Sequence, residues 1–141
     1  MLNIRVMDMQ DYPRLIELWN RTENIGLSEA DSVDKLAVFL QRNPGLSFVA
    51  RDEDKLIGAV LGGHDGRRGA IYHLAVDRGY RHQGYGQALL SHCLAAFAAH
   101  GIERCHIHVY ADNQSGIDFW QKNGWFTRPA LVLLSKDISD Q

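Results

Sequence analysis

Cysteine is scarce in this chain, and the two present, Cys93 and Cys105, stand apart with no CxxC spacing. That argues against a disulfide framework or a redox pair and leaves two isolated thiols, one in a helix-like and one in a strand-like segment, where burial is expected. No apolar run approaches the ~20 residues that span a bilayer. The N-terminal MLNIRVMDMQ also lacks the apolar core of a signal peptide, so a cytoplasmic address with no membrane partner is expected. An excess of one charge is missing too, since 15 Lys and Arg against 17 Asp and Glu leave a net −2. Without a basic field no nucleic-acid partner is expected, although residues 78–82 keep a local cationic patch. None of the seven histidines pairs with Cys or a carboxylate at zinc-like spacing, so no metal is expected. No repeat, linker or low-complexity tract divides the 141 residues, and 45% apolar content suffices for one core; a single domain over 1–141 follows.

What is present concentrates in Ala70 to Leu90, AIYHLAVDRGYRHQGYGQALL. An apolar strand-like run breaks into Arg81-His82-Gln83-Gly84-Tyr85-Gly86, which then opens an amphipathic helix. A strand feeding a helix N-terminus presents unpaired backbone N–H groups together with the positive end of the helix dipole, so a phosphate settles there. Gly84 and Gly86 let the backbone approach a bulky anion, while Arg78, Arg81 and His82 add donors and positive potential. Gly84-x-Gly86-x-x-Leu89 lacks the third glycine of a dinucleotide fingerprint, and no Gly-Lys-Ser/Thr supplies a nucleotide-triphosphate loop.

The remaining pattern reads as alternating elements. A strand at 3–7 precedes a helix whose Tyr12, Leu15, Ile16 and Trp19 repeat at helical spacing. A second helix spans about Ser32 to Arg42, capped by Asp31 or Ser32 and stopped by Asn43-Pro44-Gly45. Leu46–Arg51 and Leu56–Gly62 read as a hairpin around 52–55, and Asp65–Gly69 turns the chain into the Ala70–Val76 strand. The helix after the glycine loop, with Leu90, Cys93, Leu94 and Phe97 on one face, ends at His100-Gly101 before a parallel strand from about Arg104 to Tyr110. A last helix from about Gln114 to Asn123 leads to Trp125–Thr127 and to Leu131–Leu134, read as a final buried strand.

Arg81-His82-Gln83-Gly84-Tyr85-Gly86 after a strand resembles the acetyl-coenzyme A pyrophosphate loop of the GNAT superfamily of N-acetyltransferases. Downstream, Asn113 followed by Phe119-Trp120 and Gly124-Trp125 is similar to the family's second signature. In overall pattern the chain is nearest to small bacterial acetyltransferases related to the ribosomal-protein N-terminal class. The resemblance covers essentially all 141 residues and implies an α/β (α+β) fold, with a mixed, mostly antiparallel sheet of six to seven strands and about four helices.

It also implies the site. Acetyl-CoA is the co-substrate; the backbone of Gln83, Gly84, Tyr85, Gly86, Gln87 and Ala88, with Arg81 and His82, holds the pyrophosphate. Leu74, Ala75 and Val76 pair with the pantetheine amides as though with an added strand, and Asn113 hydrogen-bonds the pantetheine arm. A bulge at the strand end frees the Val76 N–H for the thioester carbonyl. Trp120 stands where the family usually has the tyrosine that protonates the thiolate. Trp120 then walls the pantetheine, and either Tyr110 is the acid or the thiolate leaves unaided.

His108 is the expected base, five residues before Asn113 and near where ribosomal-protein N-terminal acetyltransferases carry a glutamate; an imidazole with a pKa near ~6.5 can deprotonate an amine. His73 and His64 are lesser candidates, and for all three the competing reading is a packed, hydrogen-bonded histidine, since His106 and His108 share a strand face. Ala70, near a strand glutamate of some relatives, has nothing to titrate. Arg67-Arg68 is a solvated turn or a contact to the coenzyme's 3′-phosphate. The acceptor, a small-molecule amine or a peptide N-terminus, would meet the Trp19–Asp31 loop, where Glu23, Glu29 and Asp31 could attract a cation. Direct transfer is expected, because no nucleophilic Cys or Ser motif is present. A catalytically weak acyl-CoA-binding or sensing module is the alternative, and the apolar C-terminal strand offers an edge for a homodimer.

Overall fold

A computed structural model describes residues 2–138. It contains two compact units, Met1–His108 and Val109–Gln141. In the first, β1 (Leu2–Val6), α1 (Tyr12–Asn20), α2 (Val33–Arg42), β2 (Phe48–Asp52), β3 (Lys55–His64), β4 (Gly69–Val76), α3 (Tyr85–Ala99) and β5 (Cys105–Ile107) follow in that order. The second holds α4 (Gln114–Lys122).

Helix starts follow the chemistry of short polar side chains. Asp8 and Asp11 close a capping box ahead of α1, and the Asp11 carboxylate is clamped by both Arg5 nitrogens at 3.0 and 2.6 Å. Ser32, one of the two expected caps, accepts the Lys35 N–H at the start of α2.

The strands form one sheet in the order β1-β2-β3-β4-β5, antiparallel up to β4 and parallel between β4 and β5. One face buries Met7, Leu15, Leu18, Trp19, Leu36, Val49, Ala59, Leu61 and Ala75 around α1 and α2. α3 packs on β2, β3 and β4 with Leu89, Leu90, Cys93 and Phe97 buried.

The β3–β4 register is broken once. Ala59 pairs with Ala75 and Leu61 with Tyr72, so the single residue Val60 faces both His73 and Leu74. This bulge resets the alternation of β4: Ala75 joins the α1–α2 core, yet Tyr72, an odd number of residues away, turns to the same side and meets Phe39 of α2.

The sheet has five strands rather than the expected six to seven. The 104–110 strand shrinks to Cys105–Ile107, and neither Trp125–Thr127 nor Leu131–Leu134 is a strand. Leu131, Val132, Leu133 and Leu134 are between 62% and 87% exposed instead of buried. An apolar run favours burial but does not itself supply the ladder a strand needs, and Pro129 removes a donor just upstream. Cys93 is buried as expected, its thiol donating to Leu46 O at 3.1 Å, and Cys105 is half-buried.

Close packing between α3 and the sheet depends on Gly62, where a Cβ would stand 2.5 Å from Leu46 O and 2.6 Å from Cys93 Sγ. Gly62→Ala should destabilise by about 1–3 kcal/mol, lowering Tm by roughly 3–10 °C. Gly79→Ala, where a Cβ meets nothing within 4 Å, should leave the melting curve unchanged.

Candidate active site

β4 ends at Val76 and α3 begins at Tyr85; the loop between them is built by backbone hand and by ion pairs. Asp77 fixes the first turn, its N–H donating to Ile57 O at 2.7 Å and its side chain accepting the Gly79 N–H. The same carboxylate takes Arg21 at 2.9 Å and Lys55 at 3.8 Å. Tyr80 donates its hydroxyl to Asp52 at 2.7 Å. His82 (φ 61°) and Gly84 (φ 86°) both have left-handed backbones, separated by Gln83. Alternating hand of this kind curls successive N–H groups into a concave anion nest. Gly84 is also the N-cap residue of α3, and no side chain caps that helix, whose first internal bond runs from Ala88 N–H to Gly84 O. Its first-turn amides and the positive end of its dipole therefore open onto an exposed loop.

Arg81, expected beside the pyrophosphate, is held by two neighbours. Its Nε donates to Val76 O at 3.0 Å, and its two terminal nitrogens hold Glu23 bidentately at 2.8 and 2.9 Å. Arg78 stands 3.7 Å from the same carboxylate. The Arg81 guanidinium hydrogen bonds hold the Glu23 carboxyl well below its usual range, at about 2. Glu23 is thus a counterion that ties the chain after α1 to the glycine loop, rather than a free attractor for a cationic substrate.

Beside the loop lies the outer edge of β4. β4–β5 pairing ends at Ile71↔Ile107, whereas β4 continues to Val76. Because the Asp77 N–H points at β3, the amide groups of Val76 face the other way, and Arg81 takes its carbonyl there. The Val76 N–H shares that free edge. The bulge expected at the strand end sits three residues earlier, at His73–Leu74.

The histidines part company. His73 Nε2 lies 2.8 Å from Asp31 Oδ1, and its ring meets Trp19 edge-on at 5.0 Å. His108 is exposed, one residue past β5, and His106 is half-buried on β5. His64 is a hydrogen-bonded histidine, accepting the Gly66 N–H and sharing a 3.1 Å contact with His100. Arg67 and Arg68 belong to a turn closed by Asp65, which accepts both their N–H groups; these bonds hold its carboxyl down at about 2.

In the second unit Asn113 spends its side-chain oxygen capping α4 through the Gly116 N–H at 3.0 Å. Trp120 is buried between Phe119 and Trp125, with ring centroids 5.4 and 4.8 Å away. Tyr110 is exposed, and its carbonyl accepts the Asn113 N–H. Asp31 as partner of His73 and Glu23 as partner of Arg81 had no signal in the sequence, since each pair joins residues more than forty positions apart. Among the described residues no three His, Cys, Asp or Glu side chains gather as a metal site requires, and no helix is long and apolar enough to cross a membrane.

An uncapped helix N-terminus behind a positive-φ loop, next to a strand edge without a β-partner, is an arrangement suited to an anionic ligand with an extended arm. Residues 12–125 match the acetyltransferase (GNAT) family, running through both compact units. An acetyltransferase of Sodalis glossinidius is 31% identical over 141 residues, with 99% of each chain covered. The PaiA N-acetyltransferase of Thermoplasma acidophilum, solved with coenzyme A, superposes with a TM-score of 0.78 at 24% identity over 91% of each chain. The ribosomal-protein-S18-alanine N-acetyltransferase of Escherichia coli does so at 0.73 and 22%, over 88% of this chain and 77% of that one. The chain belongs to the GNAT acetyltransferase family and is an acetyl-CoA-dependent acyltransferase.

The Arg81–Glu23 pair has a pH signature. The folded-state pKa of Glu23, about 2, lies below its ordinary 4.5, so the stabilisation is complete above about 4.5 and is lost as pH falls through about 2. The difference in Tm between the parent protein and Glu23→Gln, followed by thermal melts, should be widest near neutral pH and close by about pH 2.

Proposed function

We propose that this protein moves the acetyl group of acetyl-CoA directly to a primary amine, carried by a small molecule or a peptide N-terminus. The observation that supports this most strongly is the juxtaposition in the first unit of the uncapped α3 start, behind left-handed His82 and Gly84, with the unpaired β4 edge at Val76. The coenzyme pyrophosphate would accept from the backbone between Gln83 and Ala88, and the pantetheine amides would run along Leu74, Ala75 and Val76 in the manner of an added strand. The Val76 N–H would then meet the thioester carbonyl, where negative charge develops during transfer. The E. coli neighbour, named for an alanine of ribosomal protein S18, keeps peptide N-termini among the acceptors.

Direct attack, with no acyl-enzyme, fits the state of both thiols. Burial pushes Cys93 up to about 12 and also raises Cys105. Neither supplies a thiolate near neutral pH.

Calorimetry with acetyl-CoA, paired with thiol release against polyamines, aminoglycosides and alanine-terminated peptides, tests the reading. Binding with acceptor-dependent release is expected; tight binding with no release from the whole panel would instead support an acyl-CoA sensing module. Gly84→Val forces a β-branched residue to φ 86°. It should weaken acetyl-CoA binding at least about tenfold, or about 1.4 kcal/mol, with an unchanged far-ultraviolet spectrum.

A further inference from the structure

The β4 bulge places His73 in a conformation that strands do not ordinarily contain. Its φ is 50°, and a non-glycine residue held in the left-handed region costs on the order of 1–3 kcal/mol unless its surroundings impose it. The surroundings do impose it. Strict alternation would put Tyr72 and His73 on opposite faces of the sheet, but across the bulge Tyr72 reaches Phe39 of α2 and His73 reaches Trp19 of α1, both on one side.

On that side Asp31 waits. It is 8% exposed, and the remaining acceptors of the residue are already engaged: Oδ2 accepts the Ser28 N–H at 3.0 Å and the backbone carbonyl accepts the Tyr12 hydroxyl at 2.8 Å. Oδ1 is left for His73 Nε2 at 2.8 Å. A carboxylate on Nε2 keeps a proton there and leaves the lone pair on Nδ1, the arrangement that makes an oriented imidazole a base. Alongside is an unmet donor: Trp19 is 1% exposed, and its indole N–H has no acceptor among the described residues. A buried N–H in that state costs about 1–3 kcal/mol, which an incoming oxygen would relieve.

We infer that His73 is the general base of the transfer reaction, accepting the proton of the acceptor ammonium on Nδ1, that Asp31 is its positioning residue, and that the acceptor binds on the α1–α2 side of the bulge. The inference rests on the transfer reading above. His73 is joined by one peptide bond to Leu74, the first of the strand residues assigned to pantetheine, and stands three residues before Val76, whose N–H is assigned to the thioester carbonyl, so the base lies on the same strand as the reacting group. Of the titratable groups around it, Asp31 meets His73 directly, Tyr12 meets Asp31, and Tyr72 turns away to α2.

The step balances as follows. The ammonium gives one proton to Nδ1, and the freed lone pair forms the C–N bond to the thioester carbon. The C–S bond breaks with its electron pair leaving on sulfur. The second proton shed by nitrogen goes to the thiolate, and the first passes from Nδ1 to solvent.

The test uses whichever amine of the panel turns over, with His73→Gln, Asp31→Asn and His108→Asn compared with the parent protein. His73→Gln should lower kcat by about a hundredfold or more and abolish the acidic limb of the kcat/KM profile, while calorimetry shows acetyl-CoA affinity within about twofold. Added imidazole should restore part of the rate, which a purely structural role would not permit. Asp31→Asn should fall by about tenfold, the usual scale for losing an outer partner of an active histidine. Nitrogen-15 correlation spectra of the parent protein should show His73 as the Nε2–H tautomer, a readout that needs no variant to fold. An Nδ1–H tautomer, full activity with an intact acidic limb in His73→Gln, or a loss confined to His108→Asn would each overturn the assignment alone. Failure of the parent protein to bind acetyl-CoA, or to release thiol with any amine, would overturn the transfer reading and this inference with it.

Discussion

One extra residue in β4 governs the arrangement of this site. Because Val60 faces both His73 and Leu74, the strand changes phase halfway along. Its first half is laddered on both sides, to β3 and through Ile71 to β5; its second half is laddered only to β3. An unpaired strand edge in the middle of a sheet is unfavourable unless something completes it. Here the edge lies directly upstream of an uncapped helix N-terminus. Both features turn backbone N–H groups toward the loop, and the proposed ligand, with amides at one end and phosphates at the other, would engage both.

The loop between them is held by charge. Asp77 gathers Arg21 and Lys55, Tyr80 is tied to Asp52, and Arg81 bridges Val76 O to Glu23. These contacts connect the loop to α1, to the chain after it and to the β2–β3 hairpin. Exposed pairs of this sort contribute little individually, commonly about 0–1 kcal/mol. Their effect is to fix geometry: Arg81 is engaged by Glu23 and Val76 O, and the backbone of the loop is held in the left-handed turns at His82 and Gly84.

Most of the first unit was legible in the sequence, because its elements carry their own signals. Leu15 and Trp19 mark the buried stripe of α1, Ser32 the start of α2, and the polar turn at 52–55 between two apolar runs the hairpin. The glycine loop was legible for the same reason, since Gly84 takes the left-handed backbone that only glycine adopts freely. The bulge was misplaced by three residues, because it is set by register against β3 and not by any local residue preference. Glu23 and Asp31 were noticed as acidic residues that could attract a cationic acceptor, whereas long-range packing gives them Arg81 and His73 as partners. Leu131–Leu134 misled in the opposite sense: its composition is that of a buried strand, and hydrogen-bond partners, which composition does not encode, decide whether one forms.

The central claim is that the β4 edge and the start of α3 together receive acetyl-CoA. Backbone amide hydrogen exchange, measured with and without the coenzyme, tests it residue by residue. Slowed exchange at Val76 and at the Gly84–Ala88 amides, with β1 and β2 unaffected, is the result expected. Tight binding that leaves those amides unchanged would contradict the account.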